Sequence, residues 1–372
     1  MCSNSINVIG VMSGTSLDGL DICLVSFNSD DYSNFNIINS KTYNYSSYWT
    51  DKLSNAINLG INELNKLDNE FGKLIGDYIN KFIIEIGNPK VDLVSSHGHT
   101  VFHNPEKGIT KQIGNGKTIF NKINISLICD FRTQDVELGG QGAPLVPIGD
   151  LNLFKDYKYC LNLGGFGNIS IKKNKSIKAF DICPVNTVLN YYSKKLGYPY
   201  DKNGKISETG NVNYKLLSKL NSLEYYKTEG PKSLGIEYVK EKIIPLIDSF
   251  SVNNNDVLKT FIEHITEQIN ISIKENKENE SILITGGGTY NQTIIKKLKN
   301  KLKCDVIIPE KEIIDNKEAL IFAYLGLLRY NNTVNCLKTV TGAKKNHSSG
   351  TIFKSWYLNL SYLIFEVLCF SI

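Results

Sequence analysis

The sequence predicts an α/β protein built from two domains. Short apolar runs bounded by Gly, Asn or Asp alternate with longer stretches of helical periodicity, and this alternation is typical of α/β folds. At 372 residues the chain is long enough for two domains that each bury a substantial core. We therefore expect that neither disulfide bonds nor a metal ion is required for stability.

The first half of the chain predicts three antiparallel strands, a helical region and a fourth strand. The three strands are expected at residues 6–14, 21–29 and 35–43, joined by short turns. The charged and amide-rich residues 52–88 have helical periodicity, and the apolar run at 91–98 follows as a strand.

A second α/β half is predicted to begin near residue 125. Its expected strands are residues 126–131, 159–165, 169–173, 282–288 and 304–309. Its expected helices are residues 187–196, 256–273 and 317–330. We place a first domain at 1–128, a second at 129–352 and an apolar tail at 353–372. The last predicted helix is a candidate to pack back on the first domain.

Composition excludes several classes of protein. The 42 Lys and Arg residues against 37 Asp and Glu give a net charge of only +5, evenly spread, which argues against nucleic-acid binding but is compatible with a small anionic ligand. The eight cysteines contain no CxxC pair, which predicts reduced thiols and a cytoplasmic setting. Residues 1–10 lack the pattern of a signal peptide.

The last 17 residues, 356–372, are mostly apolar and carry Glu366 as their one charge. A spanning helix needs about 20 predominantly apolar residues, and a charge in its middle is costly. A membrane anchor therefore stays an alternative, and a terminal segment packed on the core, or one without function, is the preferred interpretation. We expect no membrane partner.

The most distinctive local pattern is the run GVMSGTSLDGLD, in which small residues separate two strand-like segments. Gly14 and Gly19 allow backbone amides to approach a ligand closely, and Thr15 and Ser16 add hydroxyl donors. Asp18 is placed to hold a cation that bridges phosphates. The alternative is an ordinary hairpin turn in which these residues serve turn geometry alone.

Two more glycine clusters, residues 162–170 and 285–291, each follow an apolar strand directly. Gly165 and Gly167 match part of a dinucleotide-binding fingerprint, but the third glycine and the acidic residue further on are absent. The run GNGKT resembles the end of a phosphate loop, yet Lys111 stands where its first glycine belongs. Neither pattern alone predicts a nucleotide site.

His97, His99 and His103 form an HxHxxxH run near the end of a predicted strand. The spacing is compatible with zinc, but no paired Cys or carboxylate accompanies it, and hydrogen bonding to a loop or substrate is the preferred interpretation. The surroundings of Ser16 do not match the GxSxG elbow of serine hydrolases.

Several of these patterns occur in a consistent order along the chain. In this combination they resemble the 1,6-anhydro-N-acetylmuramic acid kinase family. The resemblance covers residues 8–352. The matching segments are GVMSGTSLDGLD, SSHGHTVFHNP, QIGN, CDFRTQDVELGGQGAPLVP, LNLGGFGNIS, AFDICPVN, YDKNGKISETG, PKSLG, TGGGTYN, NKEALIFAYLG and TGAKKNHSSG. The long DFR block and the GTSLDG opening are the specific ones.

The resemblance implies a two-domain actin-like ATPase fold of ribonuclease H-like type, with a nucleotide in an interdomain cleft. It implies ATP and Mg²⁺ as cofactors, with Asp18 holding the metal through ATP. It assigns the first phosphate hairpin to residues 14–21, the second phosphate hairpin to residues 164–168 and the turn that meets the nucleoside to residues 286–291. These implied ATP-binding residues are Gly14, Thr15, Ser16, Leu17, Asp18, Gly19, Leu20, Asp21, Gly164, Gly165, Asn168, Gly286, Gly287, Gly288 and Asn291.

The implied substrate is a bicyclic amino sugar whose C1 and O6 share an internal acetal. Water must attack C1 while O6 leaves, and capture of O6 by the γ-phosphate lets one carboxylate suffice as general base. Asp181 in AFDICPVN matches the family's catalytic aspartate. A helix N-cap is the alternative role for an Asp at a strand end.

Further residues match the family's sugar contacts. Arg132 is expected to bind the lactyl carboxylate or hydroxyls and Glu318 to accept from hydroxyls, with His97 and Gln141 as further candidates. A surface ion pair and a helix-face charge are the alternatives for Arg132 and Glu318. Asp135 lies in the same block and is interpreted as a residue that holds the loop.

The chain also departs from the family's pattern. Ile182 and Cys183 stand where a hydroxyl and a glycine are usual, Asn190 replaces a carboxylate, and His99 stands in place of Gln. Two alternatives stay open, namely a kinase of the same fold acting on another sugar and a nucleotide-binding scaffold without turnover. A homodimer is compatible with the sequence but not specified by it.

Overall fold

The structure is a computed structural model that describes residues 5–14, 17–174, 176–230 and 232–355. The chain groups into two compact units. Unit 1 contains Met1–Gly149 and Glu318–Ile372, and unit 2 contains Asp150–Lys317. The sequence predicts a boundary after residue 128, whereas the units divide after Gly149 and the chain from Glu318 onward groups with unit 1.

Strands and helices alternate along both units. In chain order, the described strands are β1 (Ser5–Ser13), β2 (Gly19–Asn28), β3 (Phe35–Asn44), β4 (Leu93–Ser96), β5 (His99–Asn104), β6 (Ile109–Ile113), β7 (Leu127–Cys129), β8 (Tyr159–Leu163), β9 (Phe166–Lys173), β10 (Ser176–Pro184), β11 (Ser281–Thr285), β12 (Asp305–Ile307) and β13 (Thr351–Phe353). The described α-helices are α1 (Ser47–Ser54), α2 (Ile61–Glu85), α3 (Gly116–Ile123), α4 (Thr133–Glu137), α5 (Pro147–Leu153), α6 (Asn186–Lys195), α7 (Lys205–Glu208), α8 (Tyr214–Asn221), α9 (Glu224–Lys227), α10 (Ile236–Tyr238), α11 (Ile244–Asp248), α12 (Asn254–Ser272), α13 (Gln292–Lys301), α14 (Lys311–Tyr330) and α15 (Lys338–Thr341).

Each unit contains one mixed sheet. In unit 1 the described strands have the order β13-β7-β4-β1-β2-β3; β1 to β3 are antiparallel, and β4 and β7 run parallel to β1. In unit 2 the order is β10-β9-β8-β11-β12; β8 to β10 are antiparallel, and β11 and β12 run parallel to β8. Three antiparallel strands followed by two parallel ones occur in both sheets, which confirms the ribonuclease H-like, actin-like fold class.

The core of unit 1 depends on one close approach between backbone segments. Val8, Ile9 and Val11 of β1 are fully buried, and Gly10 lies between them. A Cβ atom at Gly10 would stand 1.9 Å from the carbonyl oxygen of Ala319 in α14, so only glycine lets this helix pack against the strand. The close approach holds α14 against β1 at Ala319, the residue that follows Glu318.

The core of unit 2 forms between its sheet and helix α12. Phe261, Ile265 and Ile269 lie one helical turn apart and are at most 1% exposed, and they belong to the same apolar cluster as Leu161 and Ile284 of the central strands. This packing holds the carboxyl ends of β8 and β11, where the glycine clusters begin.

Most predicted elements of the chain are present, and the structure also contains elements that the sequence analysis does not predict, among them β5, β6, β13, α3 and α8. The hairpin of β5 and β6 is not predicted by the sequence, because its mixed polar residues lack clear alternation; His99 and His103 lie on β5. The loop at 274–280 contains the buried Asn276, whose Oδ1 accepts backbone amides of Lys303 and Cys304 at 2.6 and 2.8 Å.

The described cysteines agree with the prediction of reduced thiols, since all are free and buried. Within residues 5–355, less the few masked positions, no helix is long and apolar enough to cross a membrane. The prediction for the apolar segment 356–372 lies outside the described residues.

Candidate active site

The glycine-rich turn of unit 1 connects β1 to β2. Leu17 has a left-handed backbone with φ of 58° and donates its amide to the carbonyl of Gly14 at 3.4 Å, which closes the turn. Asp18 is exposed, and its carbonyl accepts the amide of Tyr45 at 3.1 Å. The left-handed backbone of Leu17 is strained because the residue is not glycine, and such strain concentrates at functional sites. Thr15 and Ser16 lie outside the described residues.

The other predicted residues of this hairpin belong to β2. Gly19 and Leu20 are buried, and a Cβ at Gly19 would stand 2.7 Å from the carbonyl oxygen of Tyr43. Asp21 accepts a hydrogen bond from the hydroxyl of Thr42 at 2.6 Å. In unit 1, therefore, Gly14, Leu17 and Asp18 form the turn, and the following three residues form the sheet that supports it.

A buried hydrogen-bond network supports the first side of this turn. The hydroxyl of Tyr45 donates to Ser13 Oγ at 2.8 Å, and Ser13 Oγ lies 3.1 Å from Nδ1 of His99. Burial lowers the pKa of His99 to about 4, so this imidazole is neutral at pH 7. The network explains His99 structurally, because the side chain fixes the residue that precedes Gly14.

His97 and Arg132 form a direct pair in unit 1. Nε and Nη2 of Arg132 lie 3.1 and 2.9 Å from Nε2 of His97, and Nδ1 of His97 lies 2.9 Å from the carbonyl of Gly98. Since that carbonyl only accepts, Nδ1 carries the proton and Nε2 accepts from the guanidinium. Burial and then the Arg132 charge lower the pKa of His97, which keeps it neutral.

Glu318 lies near this pair. Burial lowers the pKa of Arg132 to about 10, and the negative charge of Glu318 acts in the opposite direction. Nη1 of Arg132 also donates to the carbonyl of Gly142 at 3.2 Å. The structure thus brings together three of the predicted sugar-binding residues, His97, Arg132 and Glu318.

The loop after α4 carries the fourth candidate, Gln141. Its side chain is exposed, and its backbone amide donates to the carbonyl of Thr341 at 2.7 Å. Asp135 is fully buried and accepts the amide of Gly142 at 2.7 Å, in agreement with its interpretation as a residue that holds the loop.

The histidine run is not arranged as a metal cluster. His97 faces Arg132, His99 faces Ser13, and Nδ1 of His103 lies 3.3 Å from the hydroxyl of Thr110. The three imidazoles engage three different partners, which fits the preferred interpretation of hydrogen bonding in the described structure.

In unit 2, the glycine turn between β8 and β9 is clamped by the start of α6. The carbonyl of Gly165 accepts backbone amides of Val185 and Thr187 at 2.8 and 3.2 Å, and the Asn186 side chain donates to the carbonyl of Gly164 at 2.8 Å. Gly165 itself is exposed. A side chain at Gly165 would stand 2.9 Å from the Thr187 hydroxyl, so the turn is compact and its outer surface is bare backbone.

The second glycine turn of unit 2 packs against the first. Gly286 has φ of 83°, and a Cβ there would lie 2.4 Å from Oδ1 of Asn162 and 2.9 Å from the backbone of Leu163. A Cβ at Gly288 would lie 2.7 Å from the Cβ of Leu163. Gly287 is exposed, and a Cβ there would have its nearest neighbour atom 3.9 Å away. The two clusters therefore form one continuous backbone surface.

Asn291, predicted to bind the nucleotide, has a structural role in the turn. Its Oδ1 caps α13 by accepting the amide of Ile294 at 3.2 Å, and the residue is only 7% exposed. Asn168, the other predicted amide, pairs with Asp181 across β9 and β10. Asn168 thus lies beside the candidate base.

Asp181 lies at an irregular point of β10. Its Oδ2 accepts the backbone amide of Leu234 at 2.9 Å, and its carbonyl accepts the hydroxyl of Tyr225 at 2.7 Å. Oδ1 has no hydrogen-bond partner among the residues that the structure describes. Burial raises the pKa of Asp181, and the Leu234 amide opposes that shift. It begins no helix, so the alternative role as an N-cap is wrong.

Two departures from the family pattern point into the core. Ile182 is 2% exposed and Cys183 is fully buried, and both belong to the apolar cluster of unit 2. Cys183 also opposes Gly167 at the bulge that follows Asp181. The side chains of Ile182 and Cys183 therefore affect packing beneath the site, while Asn190 lies half-buried on α6.

Two ribonuclease H-like sheets with glycine turns at their strand ends, and a half-buried carboxylate in unit 2, place the chain in the actin-like ATPase fold class. Within that class the chain belongs to the anhydro-N-acetylmuramic acid kinase family, whose sequence profile matches residues 6–355.

Curated relatives agree with this family. The chain is 33% identical over 375 residues to the anhydro-N-acetylmuramic acid kinase of Haemophilus influenzae, covering 93% of this chain and 97% of the relative. It is 32% identical over 367 residues to that of Vibrio cholerae, with coverage of 93% and 97%. Among solved structures, a ROK family glucokinase from Streptomyces griseus has 9% identity and a TM-score of 0.40, covering 86% of this chain and 99% of that one.

Several supporting groups of the site could not be found from the sequence. Leu234 contributes a backbone amide, which no side-chain pattern reveals, and the hydroxyl of Tyr225 donates to the main-chain carbonyl of Asp181 from 44 positions away in the chain. Asn162 and Asn186 lie inside recognised segments, and amides that flank glycine turns are a usable signal for turn-fixing residues. Ser13 and Tyr45 carry no such signal, because they are 32 positions apart in the chain and no local spacing links them.

Proposed function

We propose that this protein uses ATP and water to open 1,6-anhydro-N-acetylmuramic acid and to phosphorylate O6, giving N-acetylmuramic acid 6-phosphate. Membership of the family supports this activity. The observation in the structure that carries the proposal is Asp181, a carboxylate with one oxygen fixed by an amide, one oxygen available and a raised pKa. These are the properties of a general base.

In the proposed reaction Asp181 accepts a proton from water as the water oxygen attacks C1. The C1–O6 bond breaks, its electron pair stays on O6, and O6 takes the γ-phosphoryl group as ADP leaves. One carboxylate suffices because the leaving oxygen is captured by phosphorus, whereas ordinary glycoside hydrolysis needs a second carboxyl group as acid. The Leu234 amide keeps Asp181 oriented and limits the rise in its pKa.

The continuous glycine surface of unit 2 is proposed to bind the phosphates and the nucleoside of ATP. Gly165 and Gly287 are exposed and present bare backbone, which suits close approach by phosphate oxygens. In unit 1 the turn that contains Gly14 and Leu17 is proposed to contribute in the same way. Asp18, exposed on that turn, fits a role in holding Mg²⁺, which would neutralise phosphate charge.

Arg132 is proposed to bind the lactyl carboxylate of the sugar. His97 accepts from two of its nitrogens, which orients the planar guanidinium, and Glu318 offers an acceptor for sugar hydroxyls near the same side chain. Gln141 is a further candidate because its side chain is exposed on the adjoining loop.

The test is a coupled ADP-release assay with the anhydro sugar, hexoses and hexosamines, with identification of the product by mass spectrometry. We expect ADP release with the anhydro sugar and a product heavier than the substrate by one water and one phosphoryl group. ADP release with a hexose alone would favour the kinase of another sugar. Nucleotide binding without ADP release for any sugar would favour the scaffold.

A further inference from the structure

A second cluster of chemistry-bearing side chains lies in unit 1 and has no part in the proposed reaction. It consists of Asp135, Cys336 and His347, which are 0%, 2% and 6% exposed. One ligand atom from each lies within 4.8 Å of the other two. We propose that these three residues bind a zinc ion.

The backbone places two of the ligands side by side. Cys336 and His347 form an isolated antiparallel bridge, in which each amide donates to the other's carbonyl, at 3.1 and 3.2 Å. Residues directly opposite in such a bridge project their side chains to the same face. Asp135, in the first turn of α4, completes the cluster from a segment about 200 residues earlier in the chain. The hydrogen bond from the Thr341 hydroxyl to the Asp135 carboxylate joins the same two segments.

The hydrogen bonding of His347 leaves one ring nitrogen for the cluster. Nδ1 of His347 lies 3.2 Å from the carbonyl of Lys345, which can only accept, so Nδ1 donates there and Nε2 is the ring atom directed at Asp135. Nε2 has no hydrogen-bond partner within the described part of the chain, and it lies 3.4 Å from Oδ1 of Asp135. A buried ring nitrogen without a hydrogen bond, facing a buried carboxylate oxygen, is the arrangement that a cation between the two atoms would stabilise.

The distance between these two atoms fits a shared metal ion. Hydrogen bonds from nitrogen to oxygen are about 2.7–3.2 Å long. Ligand atoms at about 2.0–2.2 Å from a tetrahedral zinc ion are instead about 3.4 Å apart. The observed 3.4 Å between Nε2 of His347 and Oδ1 of Asp135 agrees with the second geometry. A thiolate, an imidazole and a carboxylate form a donor set that suits zinc.

Asp135 already has the supporting contacts of a metal ligand. Its Oδ1 accepts the hydroxyl of Thr341 at 2.7 Å and its Oδ2 accepts the amide of Gly142 at 2.7 Å, which fixes the carboxylate and leaves lone pairs for a metal. Three protein ligands leave a fourth coordination position for water or a small ligand. The ion would join α4 to the segment around Cys336, next to the loop that contacts Arg132 through Gly142.

Zinc content and cobalt spectroscopy of the full-length protein test this proposal. The protein is purified with zinc in the medium, passed over a desalting column and analysed by mass spectrometry of the elements. We expect about one zinc per chain. Replacement of the ion by Co²⁺ should give a thiolate-to-cobalt charge-transfer band in the near ultraviolet and tetrahedral bands in the visible.

The variants Cys336→Ser and His347→Gln should lose the ion, and Cys336→Ser should also lose the charge-transfer band. Cys129→Ser is the matched control, because Cys129 is another buried cysteine of unit 1 outside the cluster, and it should keep both. Thr341→Val should weaken zinc affinity by about 10- to 100-fold, the usual effect of losing a contact to a metal ligand.

The wild-type spectrum decides the matter even where a variant fails to fold. A protein that stays without zinc and without a cobalt band after incubation with either metal overturns the proposal, as does equal loss of the ion in Cys129→Ser and Cys336→Ser. Retention of one equivalent of metal in folded His347→Gln with an unchanged visible spectrum also overturns it.

Discussion

The backbone amide of Leu234 donates a 2.9 Å hydrogen bond to Oδ2 of Asp181. This contact stabilises the charged carboxylate, while burial favours its neutral form and raises its pKa. The amide belongs to a segment 53 residues further along the chain, and it limits the pKa increase without occupying Oδ1. Burial thus raises the pKa of the proposed catalytic residue, and a main-chain amide limits that rise.

The first prediction concerns the pH dependence of activity. A general base works only when deprotonated, so kcat/KM should fall as pH decreases through the raised pKa of Asp181, with the acid limb above the ordinary Asp value of about 3.9. Leu234→Pro removes the amide proton. Because a hydrogen bond to a charged group is worth about 1.5–3 kcal/mol, the limb should move upward by about 1 to 2 pH units.

Leu234→Ala is the control, since it keeps the amide and changes only the side chain. Profiles of kcat/KM against pH for the wild type and both variants provide the measurement. We expect the alanine profile to overlay the wild type and the proline profile to shift. Identical acid limbs in the proline and alanine variants would show that this hydrogen bond does not set the pKa that governs activity.

The second prediction concerns sugar binding by Arg132. Arg132→Lys loses the planar fork that pairs with a carboxylate and should raise KM for the anhydro sugar about tenfold or more, with little change in the Kd of ATP. His97→Ala should raise the same KM by a smaller factor, because the guanidinium loses the acceptor that lies 2.9 and 3.1 Å from its nitrogens.

His103→Ala is the matched control, since its described hydrogen bond is a 3.3 Å contact to Thr110 at the protein surface. Steady-state kinetics at saturating ATP separate the effects on KM from those on kcat. If His97→Ala and His103→Ala raise KM equally, or if Arg132→Lys leaves it unchanged, the proposed role of the pair is wrong.

The third prediction compares two adjacent glycines. Gly286→Ala places a Cβ 2.9 Å from the backbone of Leu163 at a φ of 83°, so we expect a loss of about 1–3 kcal/mol in the free energy of unfolding. Gly287→Ala meets no atom closer than 3.9 Å and should change stability by no more than about 0.5 kcal/mol.

Gly287→Ala should nevertheless weaken ATP binding, because its exposed backbone is part of the proposed phosphate and nucleoside surface. Denaturant unfolding and nucleotide titration measure the two properties separately. An unchanged Kd for ATP in Gly287→Ala would remove this residue from the site, and an unfolding free energy equal to that of wild type in Gly286→Ala would contradict the described packing.

The opening antiparallel strands could be predicted because they depend on local patterns. Apolar runs bounded by turn residues predicted β1, β2 and β3, and the glycine clusters were correctly placed at strand ends. The hairpin of β5 and β6 was missed because neither strand buries a continuous apolar face: β6 places Lys111 and Gln112 between Thr110 and Ile113.

The site could be predicted only where a side chain carries a recognisable chemistry. Asp181 and Arg132 were proposed through the family resemblance, and the contacts that adjust them in the structure were not predicted. The amide of Leu234 is identical in any non-proline residue, and the cluster of Asp135 and His347 joins segments more than 200 positions apart, a separation that leaves no local spacing to read. Such long-range contacts are fixed by the fold as a whole.

The most direct test of the central claim is phosphorylation of the anhydro sugar by Asp181→Asn, measured beside ATP binding on the same protein. Asn has nearly the same size and cannot accept the proton, so turnover should fall by at least about 100-fold, within the range that general-base catalysis contributes. The Kd of ATP should stay within about twofold of the wild type, because Asp181 is not one of the proposed ATP contacts. A twofold change in Kd is well below the tenfold change that corresponds to about 1.4 kcal/mol. Turnover close to wild type with intact ATP binding would contradict the assignment of Asp181 as the base.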